Sequence, residues 1–250
     1  AISNNQLSLY FQPKINLASN SVVGLEALIR WQHHRFGFVR PDEFIPIAEQ
    51  TGIIKPLTRW VIKEALKVQQ ELLNEGHDID ISINISAKNL REEDFVSFVT
   101  EALESNQQNS QKITIELTET SMMEDPLKAL QVLEELNQPG VRLSIDDFGT
   151  GYSSLAYIKK LPANEIKIDK SLVFDLTSNT DDQVIIKTTI DMCHRLGFTV
   201  VAEGVESQHI VDILKGLNCD LIQGYYISPP LPLNKLKLWL SEMDDYAALA

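Results

Sequence analysis

The sequence predicts an α/β fold, a (β/α)8-type barrel whose first strand runs antiparallel to its neighbour. Three observations predict it. A chain of 250 residues is long for one β-sandwich and ordinary for one closed α/β barrel, which runs to about 250 residues. Short β-branched runs alternate with stretches whose apolar residues recur every three or four positions, the βαβα rhythm of a parallel sheet covered by helices. The strand count comes close to eight, which favours closure into a barrel.

The chain opens with LYFQPKINLASNSVVGLEALIRW at 9–31, two strand-like runs around the polar turn LASNS. That pattern suits a hairpin rather than a crossover, so the first strand is antiparallel. Further strands are expected at 81–86 (ISINIS), 113–118 (ITIELT), 141–145, 165–168 (EIKI), 198–202 (FTVVA) and 219–222. Helices are expected at 57–74, 92–105, 126–137, 181–195, 207–216 and 233–242, and the polar stretch ESNQQNSQ at 104–111 reads as a surface loop. No Pro/Ser-rich linker, low-complexity tract or fixed-period repeat divides the sequence. It is therefore read as one barrel over 9–242, with 1–8 as the remnant of a linker and 243–250 as a tail.

A hydrophobic share of 44% beside 23% charged residues excludes a disordered chain. The net charge of −13 argues against nucleic-acid polymers, whose phosphates need clustered Lys and Arg. An anionic ligand would need metal ions to help it in. No run of eighteen or more apolar residues and no signal-peptide pattern is present, so no membrane contact by this domain and a cytoplasmic location are expected. The start at Ala1 fits a domain cut from a larger parent, which could itself be membrane-anchored. Cys193 and Cys219 lack CxxC spacing and read as two buried, reduced thiols.

The chemistry gathers at strand ends. Side chains alternate along a strand, so residues two apart share a face. In ISINIS, Ile81, Ile83 and Ile85 leave Ser82, Asn84 and Ser86 on the other face. The same split sets Glu116 against Ile113, Ile115 and Leu117, pairs Asp146 with Ser144, and places Lys167 between Ile166 and Ile168. Glu203 follows Val201 at a strand end, and Glu26 lies two before Leu28 and four before Arg30. In a barrel covered by helices, polar residues at C-terminal strand ends face the mouth, where this architecture builds its sites. One carboxylate after a strand is an ordinary cap or loop residue, whereas a set in the same position is harder to dismiss. Carboxylates and an Asn amide oxygen are hard ligands suited to Mg²⁺ or Mn²⁺, and packed together they need a cation to stay ionised. DDFGTG at 146–151 sharpens the point, because adjacent aspartates repel. If Asp146 bridges two ions and Asp147 serves the second, repulsion becomes attraction to a charge of up to about +4. Gly149 and Gly151 then loosen the backbone beside the metals.

With those residues in place, the chain resembles the EAL domain family of bacterial cyclic di-GMP-specific phosphodiesterases, named for the tripeptide found here at Glu26-Ala27-Leu28. The resemblance runs through QP (12–13), EALIRW (26–31), PDEFIPIAEQTG (41–52), NIS (84–86), ELTE (116–119), DDFGTGYSSL (146–155), KID (167–169), AEGVE (202–206) and QGY (223–225). It implies a modified TIM barrel with an antiparallel first strand, and hydrolysis of cyclic di-GMP to linear pGpG with two Mg²⁺ or Mn²⁺ ions per site. By the same resemblance, Glu26, Asn84, Glu116 and Asp146 hold one metal, and Asp146, Asp147 and Glu203 belong to or adjoin the second. Lys167 orients the attacking water, and Glu203 is also a candidate base. Gln12, Leu28, Arg30 and Gln223 resemble substrate and water contacts, while Glu119 and Glu206 resemble residues that steady the DFGTG loop. A homodimer, and a fused sensor or GGDEF domain in the parent, are expected by analogy.

Other readings carry less. His33 and His34 invite a metal, but adjacent residues at a strand exit point apart, which favours an exposed loop. GTGYSS lacks the third glycine of GxGxxG and any following GKS or GKT, so dinucleotide and P-loop readings fail. The alternatives to the phosphodiesterase are a silent cyclic di-GMP receptor, reached by losing metal ligands, and a regulatory module that uses the barrel as a scaffold.

Overall fold

The first two strands, β1 (Leu7–Asn16) and β2 (Ser21–His33), form the expected hairpin, with Tyr10 opposite Leu28 and Gln12 opposite Glu26. Asn16 shapes its turn by accepting bonds from the backbone N–H groups of Ala18 (2.9 Å) and Ser19 (3.0 Å), as Asx turns do. In this computed structural model, which describes residues 1–4, 6–105, 110–150, 155–177 and 179–248, the chain continues through β3 (Gly37–Val39), α1 (Pro41–Thr51), α2 (Ile54–Asn74) and β4 (Asp80–Asn84). Next come α3 (Phe95–Ser105), β5 (Ile113–Thr118), α4 (Glu119–Met123), α5 (Pro126–Asn137), β6 (Arg142–Phe148), α6 (Leu155–Ile158), β7 (Glu165–Ile168) and α7 (Lys170–Phe174). The remainder is α8 (Thr180–Leu196), β8 (Thr199–Ala202), α9 (Gln208–Gly216), β9 (Leu221–Ile222), β10 (Leu231–Pro232) and α10 (Leu233–Ala248).

Strands β2, β4, β5, β6, β7, β8 and β9 pair in parallel in that order. β1 closes the ring by pairing antiparallel with both β2 and β9, while β3 and β10 extend the edges. The outward apolar residues of the strands meet the helices: Ile81 and Ile83 are fully buried, as are Ala65 and Leu66 of α2. Truncating such an isoleucine to alanine costs about 2–5 kcal/mol. Asp125 caps α5 by accepting from the Lys128 backbone N–H, with Pro126 at the first helical position, and Gly197 ends α8 in the left-handed region at φ 86.

Differences from expectation have local causes. The 81–86 run leaves the ladder after Asn84, and the next helix starts at Phe95 rather than 92. Asn89 is the reason: its amide donates to Glu92 (2.8 Å) and accepts from Thr58 (3.0 Å), holding a 3₁₀ turn at Asn89–Arg91. The last helix runs beyond 242 to Ala248. Of the polar stretch 104–111, residues 106–109 lie outside the described residues. His33 and His34 do not point apart: their rings stack at 4.4 Å, and His33 also stacks on Phe36 at 4.7 Å. His33 Nδ1 accepts backbone bonds from Arg35 (3.1 Å) and Phe36 (3.3 Å), which curls the exit into a turn. Both cysteines are buried free thiols, and burial pushes each up to about 12.

Candidate metal centre at the barrel mouth

Strand alternation delivers three buried carboxylates to one place. Glu26 on β2, Glu116 on β5 and Asp146 on β6 each offer an oxygen, all within 4.8 Å of one another. Asp146, Asp147 and Glu203 form a second such group, so the two share Asp146. Asn84, at the open end of β4, donates its amide N–H to Glu26 (2.7 Å), which leaves the amide oxygen for another partner.

Lys167 on β7 lies among these acids. Its Nζ is 2.7 Å from Glu203, 2.8 Å from Glu116, 3.2 Å from Asp146 and 3.3 Å from Glu26. Asp169 does not serve it, since that carboxylate caps α7 through the Ser171 backbone N–H at 2.9 Å. Burial alone would discharge Lys167, but the carboxylates, Glu116 foremost, hold its affinity for the proton well above the ordinary lysine range. Glu116 is pulled the other way: burial favours its neutral form, yet Lys14 and Lys167 together bring it down to about 2. Asp146 goes up to about 8, from burial first and then from the neighbouring acids, against the pull of Lys167. Glu203 and Asp147 are raised as well, burial again leading. Carboxylates outnumber ammonium groups here, and every donor is a hard oxygen, so the set fits a divalent cation of the Mg²⁺ or Mn²⁺ kind.

The rim shows how adjacent aspartates share a site. On a regular strand Asp147 would point away from Asp146. The register of β6 shifts between Ile145 and Phe148, and Asp147 takes a left-handed φ of 55, which turns its side chain back toward Asp146 and Glu203. Asp146 steadies the bend by accepting the Asp147 backbone N–H at 2.8 Å, and Thr150 closes the turn by donating its hydroxyl to the Asp147 carbonyl at 2.8 Å. Glu119, buried at the start of α4, accepts the Gly149 backbone N–H at 3.1 Å. Gly149 lies at φ 101, backbone that side chains rarely adopt, and a Cβ there would also come within 2.6 Å of the end of the Leu172 side chain. Gly151 lies outside the described residues, and Glu206 is exposed.

Beside the acids opens a cavity of about 290 Å³ lined by Leu28, Arg30, Ile45, Glu49, Asn84 and Ser86 among others. The Arg30 guanidinium sits 5.6 Å over the Tyr10 ring. Gln12 and Gln223 are buried behind it: the Gln223 amide donates to Gln12 (3.0 Å) and to Glu26 (2.6 Å), and Gln12 donates to the Ser228 carbonyl (3.1 Å). The sequence-expected residues Glu26, Asn84, Glu116, Asp146, Asp147, Lys167, Glu203 and Gln223 thus come together, with Gln12 reaching them through Gln223. Leu28 and Arg30 lie on the adjoining wall, Glu119 under the loop, and Glu206 outside the contacts described. Sequence reading does not single out Glu49, to which Ser86 donates at 2.6 Å, nor Lys14 and Glu165. The available signal was Lys14 two residues from Gln12 on the same strand face, and Glu165 two before Lys167.

Among the described residues, no helix is long and apolar enough to cross a membrane. The model of the EAL domain family matches residues 1–230. The chain is 38% identical over 237 residues to the bifunctional diguanylate cyclase/cyclic di-GMP phosphodiesterase MucR of Pseudomonas aeruginosa, covering 94% of this chain and 35% of that protein. It is 40% identical over 241 residues to the cyclic di-GMP phosphodiesterase NbdA of the same organism, covering 96% of this chain and 31% of that protein. It therefore spans about a third of the length of the curated relatives it matches. A solved structure described as the PaMucR phosphodiesterase in complex with c-di-GMP superposes with a TM-score of 0.90 at 38% identity, covering 94% of this chain and 96% of that one. On the sequence match along nearly its whole length and the shared barrel, the chain belongs to the EAL domain family.

Proposed function

We propose that this chain is a metal-dependent phosphodiesterase that hydrolyses cyclic di-GMP to linear pGpG. The observation that carries the reading is the pair of three-carboxylate groups joined at Asp146, set at the barrel mouth beside a cavity with Arg30 on its wall. The names of the relatives supply the substrate, since MucR and NbdA are cyclic di-GMP phosphodiesterases.

Glu26, Asn84, Glu116 and Asp146 would hold one Mg²⁺ or Mn²⁺, and Asp146, Asp147 and Glu203 a second. The ions supply Lewis acidity toward the phosphodiester and make water easier to deprotonate. Lys167, held between Glu203 and Glu116, orients the attacking water in line with the P–O3′ bond. Glu203, 2.7 Å from Lys167, accepts the proton of that water as the new P–O bond forms, and O3′ departs as P–O3′ breaks, taking a proton from solvent at the open mouth. Arg30 meets the anionic phosphates, Leu28 packs on the ligand, and Gln12 and Gln223 fix the floor through Glu26. Glu119 and Glu206 steady the loop after Asp147. In the parent protein the domain works in the cytoplasm, joined to a sensor or GGDEF domain and pairing with a second copy.

The test is incubation of the purified chain with cyclic di-GMP in Mg²⁺ or Mn²⁺, with and without excess chelator, followed by chromatography of the nucleotides. The expected result is pGpG that appears with metal and stops with chelator. Binding without turnover in either metal would make the chain a receptor instead.

A further inference from the structure

The barrel holds a second polar layer beneath the site. Ser82 precedes Asn84 by two on β4, Ser144 precedes Asp146 on β6, and Glu165 precedes Lys167 on β7. On the reversed strand β1, Lys14 follows Gln12 by two. Each therefore shares its neighbour's inward face about 6.6 Å deeper along the strand. All four are buried, Lys14 to 2% exposure. Burying an ammonium this far from water is unfavourable unless its hydrogens are claimed, and here all three are: by Glu116 at 2.7 Å, Glu165 at 2.8 Å and Ser82 at 2.9 Å. Ser144 donates to the same Glu165 oxygen at 2.9 Å. The proposed chemistry at the mouth uses neither Lys14 nor Glu165.

The bond to Glu116 is the consequential one. Lys14 takes Oε1 of Glu116, and Lys167 takes Oε2 at 2.8 Å. Held at one oxygen from below, the carboxylate cannot rotate, so its other oxygen stays level with Glu26 and Asp146. Glu165 balances the charge of Lys14 and, with Ser82 and Ser144, fixes where its ammonium stands.

We propose that Lys14 is a positioning residue for the metal centre: anchored by Glu165 and Ser82, it sets the orientation of Glu116 toward the cation. This rests on the reading of Glu116 as a metal ligand given above. Partners that orient a metal ligand from behind are typically worth about 10–100-fold in metal affinity or activity.

The double variant Lys14→Met/Glu165→Gln removes both charges of the deeper pair together, so no lone ion is left buried. Two measurements are made on it and on the wild-type chain: Mn²⁺ binding followed by electron paramagnetic resonance without nucleotide, and kcat against KM for cyclic di-GMP with a melting curve alongside. The expected result is a native-like melt, Mn²⁺ affinity lower by about 10–100-fold, and a kcat that recovers as Mn²⁺ is raised. A folded double variant that binds Mn²⁺ within about twofold of wild type overturns the proposal. If that variant does not fold, Lys14→Gln/Glu165→Gln, which keeps a hydrogen-bond donor in the layer, is judged by the same two outcomes. Wild-type chain that binds Mn²⁺ yet hydrolyses nothing refutes the phosphodiesterase reading alone, because the Mn²⁺ comparison still decides the role of Lys14.

Discussion

The two carboxylate groups that share Asp146 are built differently. Glu26 and Glu116 stand on regular strands, locked by ladder bonds on both sides and buried to 6% and 0% exposure. Asp147 and Glu203 stand on a bulge with left-handed backbone and on the segment just past β8, both partly open to solvent. The first group is fixed by the same hydrogen bonds that make the barrel. The second depends on a glycine-bearing loop that Glu119 and Leu172 hold from outside. Local stability differs in the same sense, since loop geometry opens at lower free energy than core strands. One half of the centre is given by folding, and the other half is conditional.

Lys167 joins the halves, and removing it should have the largest effect. Lys167→Ala is expected to lower turnover by about a hundredfold or more while cyclic di-GMP affinity falls far less. It also leaves four carboxylates facing one another, so the metal-free variant should lose about 3–5 kcal/mol of stability, part of which Mg²⁺ restores. Substrate titration by calorimetry beside rate measurements checks this; affinity lost in step with rate would make Lys167 a binding or folding residue.

Loosening only the conditional half should do less. Glu119 stands just beyond β5 and is buried at 3% exposure, so truncation to alanine would also create a hole. Glu119→Gln keeps the shape and weakens the bond to Gly149. An approximately tenfold rise in the Mg²⁺ concentration for half-maximal activity is expected, with a melting temperature within a few degrees of wild type. An unchanged Mg²⁺ requirement with normal turnover would show that the loop holds without this anchor.

The smallest effect is one of pH. Asp146 sits at about 8 against an ordinary 3.8. With the folded value above the unfolded one, its contribution to stability is full below about pH 4 and is lost as pH climbs toward about 8. A divalent cation needs the ionised form, so the gain in melting temperature on adding Mg²⁺ should be larger near pH 8 than near pH 6. Equal gains at the two values would mean that Asp146 is already ionised in the metal-free chain.

Much of this was legible in the sequence, for identifiable reasons. The runs at 113–118 and 165–168 became strands with those bounds, because their β-branched residues alternate with polar ones that must face inward. α1 was missed as a helix because Pro46 interrupts its pattern, and α4, α6 and α7 are too short to show a helical period. Strand alternation placed Glu26, Asn84, Glu116 and Asp146 on the mouth face, but it turns Asp147 the wrong way. Only a backbone bend, which no side-chain pattern announces, brings Asp147 round. Lys14 and Glu165 share the strand alternation of Gln12 and Lys167, but nothing local shows that they pair, because their strands lie far apart in sequence.

The bend at Asp147 also limits what can replace that residue. Left-handed backbone such as this, at φ 55, is open to glycine, asparagine and aspartate and costs other L-residues about 1–2 kcal/mol, so few side chains can stand there. Among those, only aspartate brings a carboxylate to the second group, whereas Glu116 could lose its charge and still leave Lys14 paired with Glu165, and Lys167 with Glu26, Asp146 and Glu203. Position 147 therefore has almost no substitute: asparagine keeps the bend without the charge, and glutamate keeps the charge without the easy bend.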